Sequence, residues 1–149
     1  MENKHIAFSP PDITDLEINE VIDTLKSGWI TTGPKTKKFE NQLAEYIGTS
    51  KVVCLNSATA CAEMILRILG VGEGDEVITT AYTYTATASV IAHVGAKIVL
   101  VDVNKDSYQM DMEQVEKAVN EKTKAIILVD IGGRICDYTK VFEIAEKKK

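Results

Sequence analysis

The residue types best suited to holding an anion gather at "NSATA", residues 56–60. The segment lies between the apolar run "KVVCL" (51–55) and the helical stripe of "CAEMILRILG". Ser and Thr in such a turn cap a helix, as almost any strand-to-helix turn requires. A helix N-terminus just past a strand's carboxyl end also offers free backbone N–H groups to a phosphate. Residue types alone leave both readings open. "TTAYTYTATAS" (79–89) is a second concentration, with five threonines and two tyrosines. Those residues favour strands, and at the rim of a sheet they equally offer hydroxyls and an aromatic face to a flat ligand. "SGWITTGP" (27–34) holds the sole tryptophan. A loop Trp either plugs a gap or serves a binding site.

Other patterns do not survive their own chemistry. "GVGEGD" (70–75) lacks the GxGxxG spacing and follows a helix, so it reads as a turn. "DVNKDSYQMDME" (102–113) places Asp102, Asn104, Asp106 and Glu113 at calcium-loop spacing. Ser107 stands where that loop needs glycine, and a strand precedes it where a helix should. A strand exit leading to a helix capped by Asp111 explains the same residues. His5 and His93 have no ligand-type neighbours in sequence, and no metal site is expected. His93 reads as a helix-end residue near the last carbonyls.

The elements that must position these residues follow from periodicity. "TDLEINEVIDTLKSG" carries Ile18, Val21, Ile22 and Leu25 on one stripe, a Thr14–Glu17 capping box and a stop at Gly28. A second helix starts at Pro34, has Phe39, Leu43 and Ile47 inside it, and ends at Gly48. Alternation follows, with strands at 51–55, 75–79, 97–103 and 125–130. Helices fall at about 59–69, near 85–94, at 111–120 and from Asp137. Apolar strands alternating with amphipathic helices predict an α/β fold, a mostly parallel sheet covered on both faces. Ligands in such folds sit beyond the carboxyl ends of the strands, which directs attention to 54–60, 79–87 and 129–134.

With 149 residues, 45% hydrophobic and 26% charged, the chain fits one soluble globular domain. A net charge of -5 argues against nucleic-acid or anionic-membrane partners. "KKK" (147–149) reads as a solvated terminus. There is no signal-peptide core and no apolar run of membrane-spanning length. Cys54, Cys61 and Cys136 form no CxxC and read as reduced thiols of a cytoplasmic protein.

Taken together, these segments resemble the DegT/DnrJ/StrS family of pyridoxal-phosphate (PLP) sugar aminotransferases. The resemblance runs from "IAFSPPDI" through "SGWITTGPKTKKFE", "NSATA", "GVGEGDEVITTAYTYTATA" and "VGAKIVLVDV" to "TKAIILV". It implies the N-terminal part of an aspartate-aminotransferase-like large domain (PLP fold type I), and it favours the phosphate reading of "NSATA". The resemblance implies that Thr59 and Ala60 hold the cofactor's phosphate, through backbone N–H and the Thr hydroxyl. Ser57 and Ala58 keep the turn small so that the backbone can approach. Tyr84 matches the aromatic that stacks on the pyridine ring, and Thr31, Thr32 and Gly33 match a loop near the substrate.

Two departures accompany the resemblance. Asp130 stands where members usually carry His, followed by "IGGRI". The Asp that pairs with the pyridinium nitrogen and the Schiff-base Lys have no counterpart in the chain, so no catalytic residue is assigned. The implied parent is a cytoplasmic homodimer moving an amino group from an amino acid, glutamate, to a keto-sugar nucleotide for amino-sugar biosynthesis. The fragment alone is expected to be inactive. The alternatives are a PLP-dependent sugar dehydratase of the same fold, with His in place of that Lys, and a non-catalytic fragment.

Overall fold

The computed structural model describes residues 9–147. Expectations resting on His5, on the start of "IAFSPPDI" and on Lys148 and Lys149 lie outside the described residues. The chain divides between Cys54 and Leu55 into two compact units.

The first unit is built on two helices, α1 (Asp15–Ser27) and α2 (Pro34–Ile47). The expected capping box starts α1. Thr14 Oγ1 accepts the Leu16 N–H at 3.2 Å, and the Glu17 carboxylate accepts the Thr14 N–H at 2.6 Å. Gly28 ends the helix with φ 73°, a left-handed conformation that side chains disfavour. Pro34 opens α2, where its missing N–H costs no hydrogen bond. Lys35 Nζ reaches Glu20 at 2.6 Å and Asp23 at 2.7 Å, tying α2 to α1 by exposed ion pairs that stabilise little. The apolar stripe of α1 exists as read, yet Ile18, Val21, Ile22 and Leu25 remain exposed. Phe39 and Ile47 of α2 are exposed as well.

Residues 51–55 form no strand, contrary to the sequence reading. Val53 is 68% exposed, and the Cys54 N–H goes to Glu40 Oε1 at 2.9 Å. A strand needs a neighbour to satisfy its backbone, and apolar composition does not supply one.

The second unit contains the sheet. Its elements are α3 (Ala58–Ile68), β1 (Glu76–Thr80), α4 (Ala86–His93), β2 (Lys97–Val101), α5 (Met112–Ala118), β3 (Thr123–Ile127) and α6 (Tyr138–Glu146). A 3-10 turn at Ile131–Gly133 was not anticipated. All pairings are parallel, in the order β2-β1-β3. The central strand β1 is buried along its whole length. Successive strand residues face opposite sides, and β1 builds a core on each. Val77 joins Leu66 of α3 with Val90 and Ile91 of α4. Ile78 joins Met112 and Val115 of α5 with Ile144 of α6. Each such aliphatic side chain contributes about 1.5–3 kcal/mol on burial. Helices therefore cover both faces, as the alternation predicts.

Glu76 fixes the start of the sheet. Its carboxylate accepts from Lys97 Nζ at 2.7 Å and from Asn120 Nδ2 at 2.8 Å, linking the beginning of β1 to β2 and to the turn before β3. The segment with calcium-loop spacing folds as a tight reversal closed by a bridge between Val103 and Met110. Asp111 caps α5 as expected, accepting the Glu113 N–H at 2.9 Å. His93 ends α4, but its Nδ1 lies 2.9 Å from Glu63 Oε2 of α3, so it pairs between helices and not with the last carbonyls. Among the described residues no helix is long and apolar enough to cross a membrane.

Candidate functional site

Because the three strands are parallel, their carboxyl ends lie on one edge of the sheet. The loops that follow them are the fold's natural ligand positions. Helix α3 opens beside this sheet with Ser57 as its N-cap, in extended backbone at φ -161°. Ser57 Oγ accepts the Ala60 N–H at 3.1 Å, and the Cys61 N–H bonds to the Ser57 carbonyl, also at 3.1 Å. The Ala58 and Thr59 N–H groups are then the helix donors without an intrahelical partner. Ser57, Ala58 and Thr59 are exposed, and Ala60 is half-buried. The turn thus caps a helix and still presents an open, electropositive N-terminus. The two readings of this segment are compatible, with Ala60's N–H committed to the cap.

The polar run after β1 divides residue by residue. Thr79 donates to the Ile127 carbonyl at 3.0 Å, and Thr80 accepts the Tyr82 N–H at 3.1 Å. Thr83 and Thr87 share a hydroxyl contact of 2.9 Å. These threonines serve the fold. Tyr84 is different: its carbonyl accepts the Thr87 N–H at 3.0 Å to start α4, while its side chain is 83% exposed. The helices that these two segments begin, α3 and α4, pack against each other through Leu66, Val90 and Ile91.

Thr31, Thr32 and Gly33 belong to the first unit. Thr31 and Thr32 are exposed and Gly33 is buried. The Trp29 indole folds over its own loop, donating from Nε1 to the Thr32 carbonyl at 3.1 Å. It lies so close to Gly33 that a Cβ there would stand 2.2 Å from Nε1. Trp29, Thr31, Gly33 and Lys35 help line a recess of about 300 Å³. The tryptophan therefore fills space within its loop and also borders a cavity.

Sequence reasoning did not assign roles to the residues around Asp130. Its Oδ1 accepts the Cys136 N–H at 2.8 Å, and its Oδ2 accepts the Tyr138 hydroxyl at 3.1 Å. Cys136 is buried and its thiol donates to the Val129 carbonyl at 3.2 Å. The Cys136 N–H foremost, with its thiol and the Tyr138 hydroxyl, holds the Asp130 carboxyl below the usual carboxylate range. Burial pushes the Cys136 thiol up, and the Asp130 charge adds to it. The hydrogen bond to Asp130 foremost, and then the same charge, raises the Tyr138 hydroxyl. At neutral pH this is an anionic carboxylate closing its own loop over a protonated thiol, not an activated nucleophile. All three cysteines are free thiols.

The profile of the DegT/DnrJ/EryC1/StrS aminotransferase family matches residues 11–149. An uncharacterised protein of Methanocaldococcus jannaschii is 50% identical over 91% of the chain and 35% of its own length. The UDP-4-amino-4-deoxy-L-arabinose–oxoglutarate aminotransferase of Shewanella sediminis is 39% identical over the whole chain and 38% of its own length. Among solved structures, the "Putative sugar aminotransferase" of Streptococcus pneumoniae superposes with a TM-score of 0.92 at 60% identity. That alignment covers 96% of this chain and 36% of the solved one, which is known in PLP, PMP and apo forms. The chain thus spans a little over a third of the length of these relatives. Matched from residue 11 to residue 149, with the parallel sheet and the helices on both its faces, the chain belongs to the DegT/DnrJ/EryC1/StrS aminotransferase family.

Proposed function

We propose that this chain is the N-terminal part of a PLP-dependent aminotransferase that acts on a keto-sugar nucleotide, with glutamate as amino donor, in amino-sugar biosynthesis. The parent protein is read as a cytoplasmic homodimer. Exposed Met64, Ile65 and Ile68 on α3, with Leu69 just after it, offer apolar surface for assembly. The observation that carries the reading is the open N-terminus of α3. Two unpartnered N–H groups, a helix dipole and small side chains fit a phosphate group. The exposed ring of Tyr84 fits a pyridine ring.

When bound, PLP supplies the electron sink for moving an amino group. The residues of this chain bind and orient it. Ala58 and Thr59 donate to the phosphate, the Thr59 hydroxyl adds a donor, and Ser57 keeps the first turn in shape through Ala60. Tyr84 fixes the plane of the ring. Thr31, Thr32 and Gly33 are assigned to the substrate side. The anchoring lysine and the aspartate facing the pyridine nitrogen are assigned to the remainder of the longer parent, so this chain alone is expected not to turn over.

Ala58→Pro tests the phosphate contact directly. Proline suits the first helical position, and the extended Ser57 before it tolerates one, so the helix should survive while one N–H donor disappears. A lost hydrogen bond to a charged group is worth about 1.5–3 kcal/mol, or roughly a tenfold to hundredfold loss of PLP affinity. A folded variant that takes up PLP as the unaltered chain does would remove this turn from the cofactor site.

A further inference from the structure

A second recess lies where the loops after all three strands meet. It encloses about 350 Å³ between Tyr82 after β1, Asp106 and Tyr108 after β2, and Gly132 and Arg134 after β3. Neither Tyr84 nor the α3 turn lines it. The Tyr82 and Tyr108 rings sit 5.5 Å apart, tilted by 34°, and both are about half exposed, so a continuous aromatic surface faces outward. Tyr108 holds φ 58°, a conformation that a bulky side chain adopts only against a steric cost. Arg134 Nη1 donates to the Ser107 carbonyl at 3.3 Å, which fixes the guanidinium beside that surface. Among the described residues Arg134 forms no ion pair with a carboxylate. Gly132 and Gly133 follow each other at φ 59° and 78°, so the loop after β3 brings only Ile131 and Arg134 side chains to the lining.

Two aromatic faces, one unspent cation and one carboxylate acceptor are the complement of a base, a phosphate and a pentose. A simple anion would use only the guanidinium, and a neutral sugar would leave it unpaired. We propose that this recess receives the nucleoside diphosphate end of the substrate. The base lies on Tyr82 and Tyr108, Arg134 pairs with the diphosphate, and Asp106 accepts from a pentose hydroxyl or a ring N–H. The assignment rests on the reading of the substrate as a nucleotide sugar.

Calorimetric titration of the 149-residue chain with UDP, uridine and inorganic pyrophosphate tests it, with circular dichroism confirming that each variant folds. UDP should bind, and uridine and pyrophosphate should each bind more weakly. Arg134→Gln should weaken UDP by roughly tenfold or more and leave uridine unchanged, since a charge-assisted pair is lost. Tyr108→Gly removes one ring while suiting the left-handed backbone, so it should weaken both uridine and UDP by roughly fivefold or more. UDP binding that neither variant alters would overturn the assignment of this recess and leave the nucleotide-sugar reading standing. Pyrophosphate binding as tight as UDP, indifferent to Tyr108→Gly, would also overturn it. No UDP binding by the unaltered chain at millimolar concentration would overturn it as well.

Discussion

The Ser57 hydroxyl accepts the Ala60 N–H at 3.1 Å and closes the first turn of α3. This contact keeps the neighbouring N–H groups parallel and pointing out of the helix. Ser57→Ala should destabilise the chain by about 0.5–2 kcal/mol, whereas Ser57→Gly should cost only a few tenths, at the ~0.3 kcal/mol level. Urea unfolding of both variants checks this. A Ser57→Ala variant as stable as the unaltered chain would mean that the hydroxyl is not the stabilising element.

The Trp29 and Gly33 contact gives a spectroscopic prediction. The chain has one tryptophan, so its fluorescence reports this loop alone. A Cβ at residue 33 would stand 2.2 Å from the indole nitrogen and 2.3 Å from Cδ1, too close for either to stay. Gly33→Ala should push the indole off the loop, break its bond to the Thr32 carbonyl and red-shift the emission. Overpacking of this kind costs about 1–3 kcal/mol. An unchanged spectrum and midpoint would show that the loop rearranges freely. Backbone strain is not the cause, because Gly33 lies in extended backbone at φ -154°.

What the sequence reveals here is local, and what it hides depends on neighbours. The Thr14–Glu17 box, the stops at Gly28 and Gly48 and the Asp111 cap each involve residues within a few positions, so their pattern is their mechanism. The strand order depends on which strands lie side by side, and nothing in β1 names β2 and β3 as its partners. The run at 51–55 shows the same limit, since apolar residues alone do not specify a paired ladder. At the candidate site the α3 turn was legible because a cap and an anion cradle use the same residue types. The pairing of His93 with Glu63 spans 30 positions, and no periodicity announces it. Asp130 was visible only as a departure from a pattern. Its bonds to Cys136 and Tyr138 depend on a 3-10 turn that glycines at 132 and 133 permit.

Tyr84 should matter for the cofactor and hardly at all for the fold. Its side chain is 83% exposed and makes no core contact, so Tyr84→Ala should leave the unfolding midpoint nearly unchanged. Loss of stacking is worth ~0.5–1.5 kcal/mol beyond burial, which means roughly a several-fold to tenfold weaker PLP affinity in the parent enzyme. Transamination should slow with it. Unaltered PLP affinity in a folded variant would take Tyr84 out of the site.

The last prediction concerns acid. Lys97 first and Asn120 second hold the Glu76 carboxyl below its ordinary value, and the Cys136 N–H does the same for Asp130. Such groups bind fewer protons folded than unfolded. Their contribution is therefore fully present above the unfolded carboxylate range, about pH 4–4.5, and disappears as pH falls through the lower folded values. Stability should be flat from neutrality to about pH 5 and then drop, with protonated Glu76 releasing Lys97 at the start of the sheet. Glu76→Gln keeps an acceptor for Asn120 but removes the charge. It should lower stability at neutral pH and flatten part of the acid decline, and Asp130→Asn should do likewise at its own loop. Urea midpoints measured from pH 7 down to pH 3 separate the contributions, because each variant abolishes only its own titration. If Glu76→Gln showed the same acid decline as the unaltered chain, the Lys97 pair would not be coupled to folding, and the clamp across the strand starts would be an exposed contact without consequence.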